Sequence, residues 1–129
     1  MKTAIICTAS MGLLLFTLGL YVSSMRGRLQ QVGTTPQNPA DPLFKAIRAH
    51  GNTAEYVPML AILMLYLGTQ SPAAWILWTM VIVTACRFLL VQGILMSPTL
   101  DRPQAMRFIG ALGTYLGGLV LSVAALVGA

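Results

Sequence analysis

Four long apolar stretches, at roughly 3–24, 45–68, 73–96 and 104–128, are separated by short polar or turn-rich segments. Each is near the ~20 residues that cross a ~30 Å hydrocarbon core, where the backbone must satisfy its own polar groups and is therefore helical. The pattern predicts four transmembrane helices. The punctuation agrees: GTTPQNPADP at 33–42 is rich in Pro, Asn and Gly, GTQSP at 68–72 is an uncharged tight turn, and SPTLDRP at 97–103 makes the third connection. Pro103 suits the first turn of the fourth helix. Lys2 precedes the first stretch as in a signal peptide, but the apolar run is longer than a usual signal core. No small-residue cleavage site follows at YVSSMRGR, so the segment reads as a retained helix.

Composition places these helices in a bilayer. The 129 residues are 57% hydrophobic and 9% charged, with a mean hydropathy of +0.78. Soluble domains carry about a quarter charged residues. Eight basic and three acidic side chains could not cover the surface of a domain in water. The fold class is an all-α membrane protein, a four-transmembrane-helix bundle in a single domain over 1–129.

The net charge of +5 forms neither a run nor a stripe, so membrane lipid is the expected surrounding partner and nucleic acid is not. Cys7 and Cys86 lie inside apolar stretches and read as structural thiols. No CxxC spacing exists and His50 has no ligating partner at helical spacing, so no metal site is expected. Arg26, Arg28, Lys45 and Arg48 flank the first loop, Arg102 and Arg107 the third, and the second is uncharged. The positive-inside rule then puts loops one and three in the cytoplasm and both termini outside, with Lys2 the single dissenting charge. Gly110, Gly113, Gly117 and Gly118 in helix four let helices approach closely, Trp75 and Trp78 fit an interfacial belt, and the eight methionines read as filler.

FKAIRAHGNTAEYVPML, residues 44–60, breaks the apolar pattern. At 100° per residue Asn52 lies about 40° and Glu55 about 20° from Arg48, so the three share a face; Tyr56 borders it and His50 points elsewhere. Glu55 stands roughly 15 Å below the helix start and Arg87, on the antiparallel third helix, roughly 13 Å from its cytoplasmic end. Arg107 enters one turn inside helix four. Taken singly, Arg48 and Arg107 could snorkel to headgroups, and Arg87 and Glu55 could form a packing pair. Together, at matched depth on three helices, they describe a polar site. Surplus guanidinium groups suit carboxylates or phosphates, one carboxylate suits an ammonium, and apolar walls suit a lipophilic second partner.

RAHGNTAEYVP resembles the second-helix signature of the MAPEG family, the membrane-associated proteins in eicosanoid and glutathione metabolism: R-x-x-x-N-x-x-E, then Tyr, with Pro two residues on. Arg48, Asn52, Glu55, Tyr56 and Pro58 match. Four spans, Arg26 and Arg28 ending helix one, Arg87 with QG following, and Arg107 opening helix four extend the resemblance over the chain. The spelling RAHGN is similar to that of bacterial members, which implies an inner-membrane location.

The resemblance implies a homotrimer holding glutathione between subunits near the cytoplasmic side. Arg48, Asn52, Glu55 and Tyr56 would contact it, Glu55 taking the ammonium. His50 would contribute from the neighbouring side, and Arg28 and Arg87 would hold carboxylates or compensate Glu55. Arg107 would lower the thiol pKa as the catalytic residue, with Arg102 the alternative for that role. Catalytic relatives often carry tyrosines where this chain has Leu90 and Ile94. The leading reading is a glutathione-dependent membrane enzyme, a transferase or peroxidase acting on lipophilic electrophiles. The others are a non-catalytic member that binds glutathione or only assembles, and a small transporter subunit.

Overall fold

The computed structural model describes residues 1–30, 33 and 35–128, and shows four helices: α1 (Lys2–Arg28), α2 (Pro42–Thr69), α3 (Ala74–Met96) and α4 (Ala105–Val127). Thr34 of the first predicted loop lies outside the described residues. Three helices, α1, α3 and α4, are long and apolar enough to cross a membrane. The fourth, α2, carries the polar stretch and falls short of that hydropathy.

Local chemistry sets the ends. Asp41 caps α2 by accepting from the backbone N–H groups of Leu43 (2.7 Å) and Phe44 (3.3 Å), with Pro42 in the first turn. That cap starts α2 three residues before the apolar run. Arg26 and Arg28 occupy the last turn of α1, where cations complement the helix dipole, and the helix continues past residue 24. The expectation for Pro103 is corrected. Gln104 is extended (φ −142°, ψ 132°) and is the N-cap, so Pro103 precedes α4 and is not in its first turn.

The helices pack as two hairpins, α1 against α2 and α3 against α4, with α2 and α3 also meeting each other. Both central helices touch all three others. Small residues make the α3–α4 seam. A Cβ on Gly110 would lie 2.6 Å from Leu90 N and 2.8 Å from Cys86 O, while one on Gly113 or Gly117 would run into Cys86 Sγ or Val83 Cγ2. Two apolar clusters form the interior. One gathers Met11, Val57, Leu60, Met64, Val83 and Leu121; the other gathers Leu18, Ala49, Leu90, Val91 and Ile94. Between them in sequence on α2, α3 and α4 come the buried polar residues Thr53, Arg87 and Thr114. The outer surface is apolar: Leu13, Phe16, Ile62, Trp78, Phe108 and Leu126 are all exposed. Such a surface fits a lipid environment.

Candidate functional site

Arg87 is the anchor. Its residue exposure is 0%, and a guanidinium so placed needs partners. Nη2 donates to Asn52 Oδ1 (3.0 Å) and to Thr53 Oγ1 (3.3 Å), and Cζ lies 5.4 Å from the centroid of the Tyr56 ring. Nε and Nη1 are buried without a partner among the described residues. Arg87 therefore spends its hydrogen bonds on Asn52 and Thr53, which ties α3 to the polar face of α2. Tyr56 also packs on Tyr115 of α4, ring centroids 5.5 Å apart.

One turn toward the loops from Arg87 opens a cavity of about 590 Å³, within the ~300–1,000 Å³ usual for small-molecule sites. Arg48 and Asn52 contribute from α2, Leu90 and Ile94 from α3, Arg107 and Phe108 from α4. Pro39, Leu100, Asp101 and Gln104 line it from the connections. Arg48 is exposed, and Gln104 Oε1 is buried with no partner among the described residues.

The connection 97–104 is held on three sides. Leu100 N–H donates to Pro39 O (3.1 Å), and Lys45 Nζ to Ser97 O (3.0 Å). Arg107 donates from Nη2 to Leu100 O (3.0 Å) and from Nη1 to Arg102 O (3.1 Å). Gly93, the glycine of QG, lets α4 begin against α3: a Cβ there would lie 2.8 Å from Arg107 N.

The other residues singled out by sequence stand elsewhere within this subunit. Glu55 and Tyr56 line a second recess of about 370 Å³, with Tyr115, Thr114, Met59 and Leu63. It lies one helical turn deeper along the same α2–α4 pair, since Tyr56 follows Asn52 by four and Tyr115 follows Ala111 by four. His50 faces α1, where a Cβ on Gly19 would come within 3.3 Å of its Nε2. Arg28 is exposed at the end of α1, and Arg102 is exposed in the third connection. Asp101 and Gln104 are lining residues that helical periodicity could not reveal. The nearest signal was their position directly before α4.

The sequence profile of the MAPEG family matches residues 4–127, nearly the whole chain. The chain belongs to the MAPEG family. MAPEG proteins include glutathione-dependent transferases and peroxidases, and members generally use glutathione as substrate or cofactor. No curated protein matches the chain. The cavity lining carries the guanidinium groups of Arg48 and Arg107 and the carboxylate of Asp101, the side-chain types that address carboxylates and ammonium groups.

Proposed function

We propose that this MAPEG protein is a glutathione-dependent integral membrane enzyme, a transferase or peroxidase that acts on lipophilic electrophiles. The observation that carries the reading is the cavity between α2, α3 and α4 with Arg48, Asn52 and Arg107 in its lining. Bound glutathione supplies a thiol whose thiolate is the nucleophile. Arg48 and Asn52 hold a carboxylate, and Arg87, by fixing Asn52, holds that pair in register. Arg107 places a cation at the cavity wall, where positive charge favours thiolate over thiol; among the described residues two of its five donors go to loop carbonyls. The deeper recess at Tyr56 and Tyr115, with its apolar wall, suits the lipophilic partner arriving from the bilayer.

We take the assembly to be a homotrimer in which all four helices span the membrane, loops one and three facing the cytoplasm of a bacterial cell. In that assembly the exposed Glu55 and Arg28, together with His50, meet or approach neighbouring copies and their ligand. Detergent-corrected mass by light scattering tests the trimer, and labelling of a cysteine placed at Thr99 in sealed vesicles tests the orientation.

The test of the site is calorimetric titration of glutathione into the detergent-purified protein, with Arg48→Ala beside it. Binding that is lost in the variant supports the site, and unchanged affinity in the variant sinks it. A second reading, binding without turnover, draws on Leu90 and Ile94, which make the α3 side of the cavity apolar. It predicts full affinity with no conjugation or peroxide reduction across a panel of electrophiles and hydroperoxides.

A further inference from the structure

We infer that Lys45, which stands outside the cavity lining, is a positioning residue for Arg107: by holding the 97–104 connection it sets where the Arg107 guanidinium stands, and so how readily a bound thiol ionises. The inference rests on the glutathione reading above and adds to it a residue that no cavity contact picks out.

Arg107 is held at both ends. Its stem starts against Gly93 of α3, where an added Cβ would lie 2.8 Å from Arg107 N and 2.9 Å from Arg107 Cγ. Its guanidinium donates to Leu100 O (3.0 Å) and Arg102 O (3.1 Å). Helix packing fixes the stem. The head is fixed by a stretch between α3 and α4 that belongs to neither helix, and a guanidinium bonded to backbone carbonyls goes where those carbonyls go.

The carbonyls are in turn placed from α2. Ser97, 2% exposed, follows the last turn of α3. Its carbonyl accepts from Lys45 Nζ (3.0 Å), and its Oγ donates to Thr99 O (3.0 Å). Thr99 precedes Leu100, whose N–H donates to Pro39 O (3.1 Å) and whose carbonyl receives Arg107. Contacts therefore run without a gap from Lys45 through Ser97, Thr99 and Leu100 to the Arg107 head. Pro39 offers only its backbone, so Lys45 is the fastening that a side-chain substitution can remove. An ammonium at the carbonyl end of α3 makes a charge-assisted bond with the helix dipole in its favour. The charged groups in the cavity lining are Arg48, Asp101 and Arg107. Lys45 lies three residues before Arg48 on α2 and is not among them, so it reaches the thiol through Arg107.

The experiment follows thiolate formation in bound glutathione by ultraviolet absorbance against pH, on the full chain in detergent, for wild type, Lys45→Met, Arg107→Met and the double variant. S-methylglutathione has no thiol proton and reports binding and fold separately. Lys45→Met should raise the midpoint by about half a pH unit, about threefold less thiolate, while S-methylglutathione affinity stays within about twofold. Arg107→Met should raise it by about one unit, about tenfold, and adding Lys45→Met should move it no further, because the group being positioned is gone. Lys45→Gln is one bond shorter than lysine; it should repeat the rise, and it takes the place of Lys45→Met if that variant fails to bind S-methylglutathione. An unchanged midpoint on substitution of Lys45 overturns the proposal, even where both ligands weaken equally. A rise that persists in the Arg107→Met background also overturns it, since Lys45 would then act by its own charge. If Arg107→Met leaves the midpoint in place, the proposal fails while the glutathione site stands. Wild type that binds neither peptide removes both.

Discussion

Two recesses of nearly equal size open at opposite ends of the α3–α4 hairpin. The one near the α2 N-terminus, about 590 Å³, contains Arg48, Asn52, Asp101, Gln104 and Arg107. The other, about 540 Å³, lies between the start of α3 and the end of α4 and is walled by Trp75, Ile76, Leu119, Val120, Val123 and Ala124. Volume does not separate them. Charge does: the first carries the guanidinium groups of Arg48 and Arg107 and the carboxylate of Asp101, and the second is walled by apolar side chains that lipid tails match as well as any ligand. In a membrane protein an apolar groove is the default, and a charged one has to be built and held.

Both recesses depend on the α3–α4 seam, so the seam should give the largest effect. Gly110→Val would push a side chain into Leu90 N and Cys86 O and should lower stability by about 3 kcal/mol, seen as earlier thermal unfolding in detergent. Equal stability of that variant would mean that the hairpin packs otherwise than described.

Next comes Arg48→Ala. Because Arg48 is exposed, its removal should leave unfolding unchanged while weakening glutathione by about ten- to a hundredfold, the value of a lost charge-assisted contact to a carboxylate. Arg87→Met is expected to be subtler. The change leaves Asn52 Oδ1 without its donor, so stability should fall by about 1 kcal/mol. It should also cost about fivefold in glutathione affinity, because Asn52 loses the donor that orients it. A variant that binds as wild type would separate Arg87 from the site.

The smallest effect belongs to the apolar recess. Val123 is more than half exposed, so Val123→Ala should change stability by no more than about 0.5 kcal/mol and glutathione affinity not at all. A marked loss of glutathione binding there would erase the contrast between the two ends.

Hydropathy made α1, α3 and α4 legible as helices apolar enough to cross a membrane, and α2 is a helix whose polar stretch leaves it short of that hydropathy. The helix ends were less legible. Asp41 lengthens α2 through a cap, and Gln104, extended, delays α4 past Pro103. On α2, the 100° rotation per residue correctly put Arg48 and Asn52 on one face, and both line the cavity. Glu55 shares that face by angle but stands about 10 Å further along the axis than Arg48, seven residues at 1.5 Å each, and so falls in the next recess. His50 was recognisably off the face, but its contact with α1 at Gly19 depends on how α1 and α2 pack. The 97–104 connection was opaque for the same reason. Its path is set by hydrogen bonds from Lys45, Pro39 and Arg107, which come from three different elements.

The seam also bears on how such a chain can drift over evolutionary time. Gly113 faces Cys86 and Gly117 faces Val83 so closely that a methyl group added on one side requires room on the other. Exchanges there should be tolerated as paired moves, Gly113→Ala with a smaller residue at 86, or Gly117→Ala with one at 83. Relatives that keep this hairpin should therefore show compensating changes across it, large facing small, with the partners swapping sides from one lineage to another.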